Sequence, residues 1–351
     1  MKKWYQWLMM VASVVLVLAG CGRNDTSENT ASSSESKAQP FAGKTLNVIA
    51  TSDKYVDLFN KFTEQTGAKV EFLSMSSGEV ISRTKAEGKP MADVWFGGGL
   101  DAFLAADEDG LLEHYTSPNA SAVNEAYKGK DGAWIAKGLT VAGFLVNNKV
   151  LEEKGLPIPK TWDDLTKPEY KGLIIMSNPA ISGTNYAVVK GLLDAKGETN
   201  GWQYFEKLNE NIDFYSKRGK DPQEKTVQGE FAIGIIPVDN SAFEVAKDND
   251  LTVVYPDIIP WVPEGVAIFK GSENVEVAKA FEDFMLTKEA QEIIAKVDGK
   301  DTAQIVVPDV KGLSLGLPED KLIKENLSDF GSNRDDILAH FKQIAADKAE
   351  E

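Results

Sequence analysis

The chain has 351 residues, with 54 acidic against 38 basic side chains and a formal net charge of −16 at pH 7. A chain this acidic is not expected to bind nucleic acid or to dock electrostatically on anionic lipid, although a local field can still favour an anionic ligand. Its one cysteine excludes an internal disulfide, and its two histidines argue against a His-rich metal site.

The N-terminal residues have the layout of a secretory signal segment. A basic start precedes an apolar run over residues 7–19, which is short for a membrane span. The run ends in Leu18–Cys21 (LAGC), which resembles the bacterial lipobox. That resemblance implies that residues 1–20 are a signal peptide and that Cys21 becomes the lipidated first residue. An ordinary signal peptide with an incidental cysteine, or a single membrane anchor, are the alternatives.

Residues 21–43 are predicted to form a flexible tether. Residues 22–40 are rich in Ser, Asn and Glu and contain no large apolar side chain, so they cannot bury enough surface to offset the entropy of ordering. Lys44 then opens a folded part that is long enough to divide into two lobes.

The first half of the folded part alternates between strand and helix patterns. Strands are predicted at 46–50, 69–73 and 92–96, with helices after Thr51-Ser52-Asp53, after Ser76-Ser77 and over 101–106. This order predicts an α/β fold with a parallel sheet. Ligands of such sheets gather outside the carboxyl ends of the strands, which here are 51–52, 74–78 and 97–99.

A second group of elements follows an apolar strand at 141–147 that could carry the chain into another lobe. Residues 256–264 are a plausible return crossing. Further elements are predicted as strands at 173–177, 231–237, 252–255 and 265–269, and as helices at 185–195, 275–295 and 321–345.

Four motifs together resemble one protein family. They are 92–99 (ADVWFGGG), 162–165 (WDDL), 177–186 (SNPAISGTNY) and 265–268 (GVAI). In this order they are similar to extracellular solute-binding lipoproteins of bacterial ABC importers, in the group that binds ferric iron, thiamine, polyamines, hexose phosphates and phosphonates. The resemblance implies a two-lobe type II periplasmic-binding-protein fold with paired hinge crossings, and it implies binding without catalysis.

The same resemblance implies a domain organisation and partners. Residues 44–143 with 265–345 would form lobe 1, residues 148–258 lobe 2, and residues 346–351 a tail. The expected partners are a small anionic solute, an ABC permease with its ATPase, and the membrane through the lipid anchor. We expect a monomer at the extracytoplasmic face of the cell membrane, with no cofactor.

Hydroxyl and glycine residues at predicted helix starts are candidates for anion binding. Ser182, Gly183 and Thr184 precede one helix, and unpaired N–H groups at its positive end suit phosphate, phosphonate or carboxylate. Matching candidates on the first lobe are Ser52, Ser76, Ser77, Gly78, Gly98 and Gly99. Helix capping by Ser and Thr, and a tight turn at the glycines, are the structural alternatives.

Polar residues of the second half could recognise the rest of the ligand. Asp239 and Asn240 follow a buried strand. Either could accept a hydrogen bond from the solute or pair with an amine on it, although Asp239 could simply cap the next helix. Glu264, at the return crossing, is the last candidate.

Ferric iron remains the alternative cargo. Iron binders of this group typically present adjacent tyrosines in the second lobe, whereas Tyr186, Tyr215 and Tyr255 are isolated here. The sequence therefore favours a phosphorylated or phosphonate-like organic molecule, and no metal-ligating residue is predicted.

An enzyme or a surface scaffold would share the same architecture. Catalysis would require a base–nucleophile pair, a metal cluster or paired carboxylates, and the sequence shows no motif for any of them. We therefore expect no enzymatic activity.

Overall fold

The computed structural model describes residues 39–324, 327 and 329–349. The predictions for Cys21 and for most of the tether lie outside these residues. Residues 40–43 form a turn in which the N–H of Phe41 donates to the carbonyl of Thr66, 2.9 Å away. The turn joins the start of the described chain to the end of the first helix.

Ten strands and twelve α-helices lie in the described part of the chain. The strands are β1 Thr45–Ala50, β2 Lys69–Ser74, β3 Val94–Gly99, β4 Leu112–Glu113, β5 Ile135–Asn147, β6 Ile174–Ser177, β7 Ile212–Ser216, β8 Ile233–Pro237, β9 Leu251–Val254 and β10 Trp261–Phe269. The helices are α1 Val56–Thr66, α2 Ser77–Glu87, α3 Leu100–Glu108, α4 Asn148–Lys154, α5 Gly183–Lys196, α6 Glu198–Asn211, α7 Asp221–Val227, α8 Asn240–Asp248, α9 Val275–Met285, α10 Lys288–Asp298, α11 Asp329–Ser332 and α12 Arg334–Ala345.

The strands form a mixed sheet in the order β2-β1-β3-β10-β5-β8-β6-β7, with β4 paired to β10 and β9 to β5. β1 is parallel to both β2 and β3, and β6 is parallel to both β7 and β8. These pairings confirm the predicted α/β fold and the parallel arrangement of the first three strands. The two parallel groups are joined in the middle by β10 and β5, which are antiparallel to each other and to their outer neighbours.

β5 is the longest strand and begins earlier than predicted. All 13 of its residues are buried; Ile135–Val141 pair with β10, and Ala142–Asn147 pair with β8 and β9. The sequence pattern predicts this strand at 141–147, and the residues that precede it include a lysine at position 137. Lys137 is nevertheless 1% exposed, since two carboxylates bond its ammonium group.

An aromatic cluster packs α1 and α9 against the first parallel group. Phe62 and Phe281 meet edge to face with ring centroids 5.2 Å apart, and Phe281 also contacts Phe96 of β3. Gly67 ends α1 with φ 78°, a left-handed conformation that glycine adopts without a steric penalty. This packing holds β1 and β3 in place, so their carboxyl ends are rigidly positioned.

The last helix, α12, contacts two helices that are distant in sequence, α6 and α3. His340 of α12 stacks on Trp202 of α6 with ring centroids 4.0 Å apart, and Phe341 packs on Phe205. The same helix starts with Arg334, whose Nε donates to Asp101 of α3 over 2.8 Å. The predicted lobe boundaries stay a prediction, although α12, assigned there to lobe 1, packs extensively on α6.

Among the described residues, no helix combines the length and the apolar character needed to span a membrane.

The buried Glu282 of α9 generates a prediction on stability. Burial, and to a smaller extent the Asp283 carboxylate, raise the pKa of Glu282 to about 8. The folded protein therefore binds more protons than the unfolded one between about pH 4.5 and pH 8, so the free energy of unfolding should fall with rising pH, by up to about 1.4 kcal/mol per unit. Glu282→Gln should remove this fall and be more stable than the unmodified protein at pH 8.

Urea unfolding at pH 5, 6.5 and 8 measures the effect. Glu276→Gln, on the same helix with a 75% exposed side chain, is the matched control and should keep the original slope. Identical pH slopes for Glu282→Gln and the unmodified protein would contradict the assignment.

Candidate functional site

Residues predicted to bind the anion come together at the carboxyl ends of β1 and β3. An added β-carbon on Gly78 would lie 2.4 Å from the carbonyl oxygen of Ala180, in the loop before α5. A β-carbon on Gly99 would lie 2.7 Å from the Cα atom of Gly183. The N-termini of α2 and α5 and the end of β3 therefore meet with backbone against backbone, which only glycine allows.

Gly98 lies between these contacts and faces α2. Its φ is 122°, and an added β-carbon would lie 2.4 Å from the hydroxyl oxygen of Ser77. Ser77 is 6% exposed, whereas Ser76 and Gly78 are half-buried. A groove of about 600 Å³ opens beside this junction, with Ser76, Gly78 and Ala180 among its lining residues.

The hydroxyl groups of the candidate serines differ in the hydrogen bonds that they make within the protein. The Ser182 hydroxyl accepts from the backbone N–H of Asn185 over 3.3 Å and from its Nδ2 over 3.1 Å, so it caps α5. Ser76 is the N-cap residue of α2 but makes no side-chain cap hydrogen bond within the described chain. Ser52 is buried and accepts from the backbone N–H of Lys54 over 3.4 Å, and Thr184 is half-buried.

A carboxylate that the sequence analysis did not consider lies at the start of α5. Asp101 is 1% exposed, and its Oδ1 would be 3.4 Å from an added β-carbon on Gly183. Oδ2 accepts from Arg334, whereas Oδ1 has no hydrogen-bond partner among the described residues. Burial raises the pKa of Asp101 despite the nearby guanidinium. The only sequence signal was an acidic residue in the first turn of a helix that follows three glycines.

Glu264 lies at the centre of a buried group of charges. Its carboxylate accepts from Lys137 and Thr140, and from Lys300 over 3.2 Å. Burial by itself would raise the pKa of Glu264, but the Lys137 and Lys300 ammonium groups outweigh it and hold that pKa well below its usual range. Glu264 is therefore a carboxylate, and its side chain is 17% exposed.

Lys137 also binds a second carboxylate, that of Asp298. Lys137 Nζ lies 2.5 Å from Asp298 Oδ2, while Asp298 Oδ1 accepts from Tyr55 over 2.8 Å and faces Lys54 Nζ at 3.1 Å. Burial opposes the charge of Lys137, but the neighbouring carboxylates outweigh it and raise its pKa well above the usual range. Position 137 lies far along the chain from position 298, so no local motif could have revealed this pair.

Asp239 and Asn240 lie at the start of α8. The Asp239 carboxylate accepts from the backbone N–H of Ser241 over 2.9 Å and caps the helix. The backbone N–H of Asn240 donates to the carbonyl of Gly299 over 2.8 Å, and its Nδ2 donates to Glu244 over 2.7 Å. Both residues therefore serve the helix end, and their role toward a solute stays a prediction.

The three isolated tyrosines lie apart in the structure. Tyr186 donates to the carbonyl of Phe330 and Tyr215 to Asn209, whereas Tyr255 has a buried hydroxyl without a partner in the described residues. Burial raises the pKa of each of them, which disfavours the phenolate that would bind Fe(III). The described residues contain no group of three or more His, Cys, Asp or Glu side chains placed to hold a metal ion.

Comparison with known proteins identifies the family. The model of the family described as "Bacterial extracellular solute-binding protein" matches residues 89–323, and the chain belongs to this family. Its fold is that of type II periplasmic binding proteins, and such proteins capture solutes for ABC importers outside the cytoplasm.

One solved structure and two relatives are similar to this chain and are named for different solutes. The periplasmic binding protein AfuA from Actinobacillus pleuropneumoniae, solved with fructose-6-phosphate bound, is 30% identical, with a TM-score of 0.80 over 87% of this chain and 99% of that one. The phosphoglycerate transport regulatory protein PgtC of Salmonella typhimurium is 32% identical over 161 residues, 46% of this chain but only 40% of that protein. The Fe(3+)-binding periplasmic protein of Serratia marcescens is 26% identical over 245 residues, 66% of this chain and 70% of that protein.

The capping bond of Ser182 yields a prediction. Ser182→Ala removes the acceptor at the start of α5 and should lower the free energy of unfolding by about 1 kcal/mol, with a small effect on solute affinity. Chemical denaturation and calorimetric titration with fructose 6-phosphate measure the two quantities separately.

Thr199→Val, at an exposed position of α6, is the control and should leave both quantities nearly unchanged. A 10-fold to 150-fold loss of affinity at Ser182→Ala with unchanged stability would instead show that the hydroxyl binds the anion, through a bond worth about 1.5–3 kcal/mol.

Proposed function

We propose that this protein captures a small phosphorylated or phosphonate-like organic anion between the two halves of its sheet and delivers it to an ABC permease. The observation that carries the proposal is the meeting of the α2 and α5 N-termini with the glycine-rich end of β3. Helix N-termini present N–H groups and a positive dipole end, which favour phosphate groups.

The similarity to the structure with bound fructose-6-phosphate supports this ligand class, since it extends over 87% of the chain at 30% identity. The ligand of that structure combines a phosphate with a polyhydroxyl sugar. The polar side chains of Asp239, Asn240 and Glu264 would suit such hydroxyl groups, while the helix ends would suit the phosphate.

Ferric iron is supported by more distant similarities, such as that to the Serratia protein. Fe(III) would require hard anionic donors such as phenolates. Tyr186, Tyr215 and Tyr255 lie in different parts of the chain, and burial raises the pKa of each hydroxyl group, which disfavours the phenolate. We therefore place an organic anion ahead of iron as the cargo.

We also propose that the protein has a transport function without catalysis. Two buried carboxylates near the glycine-rich end of β3, Glu264 and Asp298, are bonded by lysines. Their pKa values are lowered, so neither is suited to act as a general acid near neutral pH.

Binding of a phosphorylated solute can be tested directly. Fructose 6-phosphate should raise the melting temperature of the purified protein, and a concentration 100 times the Kd adds about 2.7 kcal/mol of stability. Fructose, which has the same carbon skeleton without the phosphate, is the matched control and should have a far smaller effect.

Ferric citrate provides the opposing outcome. A visible tyrosinate-to-iron absorption band that a chelator bleaches, with no response to fructose 6-phosphate or to 2-aminoethylphosphonate, would replace the organic anion by iron. Release of inorganic phosphate from the sugar phosphate would contradict the non-enzymatic assignment.

We further propose that the protein is anchored by lipid at Cys21, on the basis of the LAGC motif after the apolar run. Cys21→Ala should move the protein from the membrane fraction to the soluble fraction, with its melting temperature unchanged. Ser33→Ala, in the predicted tether, is the control and should stay with the membrane. Retention of Cys21→Ala in the membrane fraction would show that the apolar segment itself is the anchor.

A further inference from the structure

Three lysines and two carboxylates form one connected charge cluster, which consists of Lys54, Lys137, Lys300, Glu264 and Asp298. Lys137 bridges the two carboxylates, Lys300 binds Glu264 at 3.2 Å, and Lys54 binds Asp298 at 3.1 Å. Three positive charges face two negative ones, so the charge cluster carries one excess positive charge.

The two buried lysines, Lys137 and Lys300, are balanced by the two carboxylates, so the excess charge is that of Lys54. The exposed fractions of the side chains are 0% for Lys137, 2% for Asp298 and 7% for Lys300. Lys54 is the most accessible cation, at 37%. The excess charge therefore lies on the solvent side of the cluster, where it attracts an anion that approaches from the solvent.

Asp301, the acidic residue that follows Lys300, uses its carboxylate to bond backbone groups. Its carboxylate accepts from the backbone N–H groups of Ala303 over 3.0 Å and of Leu315 over 2.8 Å. The Asp301 carboxylate is therefore bonded to backbone N–H groups and is not counted in the charge cluster.

The charge cluster lies next to the strand end where the candidate site residues meet. An added β-carbon on Gly97 would lie 3.1 Å from Cε of Lys137 and 2.8 Å from Oγ1 of Thr51. Gly98, the next residue, contacts Ser77 at the start of α2. The positive charge and the α2 N-terminus thus flank the same glycine-rich segment.

The start of α5 is a poorer place for an anion. The buried Asp101 lies beside Gly183 and is paired with Arg334, so this pair adds no net positive charge at the start of α5. The two helix ends that looked equivalent in the sequence differ in this respect.

We infer that the charge cluster supplies more of the positive charge that recognises the anionic group of the solute than the start of α5 does, with Glu264 holding Lys137 and Lys300 in place. This inference rests on the proposed function, because it requires an anionic solute. Affinity for the anion should then follow the net charge of the cluster, whichever residue changes it.

The inference is tested with variants that neutralise either a lysine or a carboxylate of the charge cluster. Their affinities are measured by calorimetric titration with fructose 6-phosphate at low ionic strength. Lys54→Gln, which lowers the charge of the cluster by one unit, should weaken binding roughly 3- to 30-fold, and Asp298→Asn, which raises it, should tighten binding by a similar factor. Lys69→Gln changes the net charge of the chain equally, but on a 71% exposed side chain at the amino end of β2, and should leave the affinity unchanged.

Salt dependence provides a second measurement. The affinity of Lys54→Gln should fall less steeply with added sodium chloride than that of the unmodified protein, because fewer charges attract the phosphate. If Asp298→Asn does not fold, Lys300→Gln replaces it and should behave as Lys54→Gln does.

The outcomes separate the inference from the proposed function. Binding of fructose 6-phosphate that is equally affected by Lys54→Gln and Lys69→Gln, or insensitive to both, would overturn the inference and leave the proposed ligand class intact. No binding of any phosphorylated or phosphonate probe by the unmodified protein would overturn the proposed function, and the inference with it.

Discussion

The antiparallel pairing of β5 with β10 is the contact on which the rest of the molecule depends. β10 also pairs with β3, and β5 also pairs with β8, so these two strands join the parallel groups on either side into one sheet. β5 is buried along its entire length, yet it contains Lys137, whose charge is tolerated because Glu264 of β10 and Asp298 neutralise it. The central junction is therefore stabilised both by strand pairing and by charge.

Near the pairing of β5 with β10, the end of α10 also contacts the start of α8. Asp298 and Lys300 flank Gly299, whose carbonyl accepts from the backbone N–H of Asn240 at the start of α8. The carboxyl end of α10 thus meets the amino end of α8, an arrangement in which the two helix dipoles attract each other. A solute anion beside the charge cluster would lie close to both crossing strands and to this helix contact, so binding and the arrangement of the two halves are expected to be coupled.

Helix capping and ligand binding require the same residue types, which is why sequence alone left both open for the hydroxyl residues. Ser182 and Asp239 prove to cap α5 and α8, whereas Ser76 makes no such bond in the described chain. The same ambiguity affects charged residues. A lysine in a strand pattern predicts a surface position, and only the partners that tertiary folding brings to it make burial possible.

The sequence by itself determined the α/β class, the parallel order of β1, β2 and β3, the family, and the strand ends at which candidate site residues gather, because each of these follows from local periodicity or from short contiguous motifs. Only the tertiary structure decided which charges meet: Lys137 with Asp298 across 161 positions, and Asp101 with Arg334 across 233. It also decided that α12 packs on α6 while its first residue reaches α3. Contacts between distant positions leave no periodic signal, since their energy depends on burial and geometry that exist only after the chain has folded.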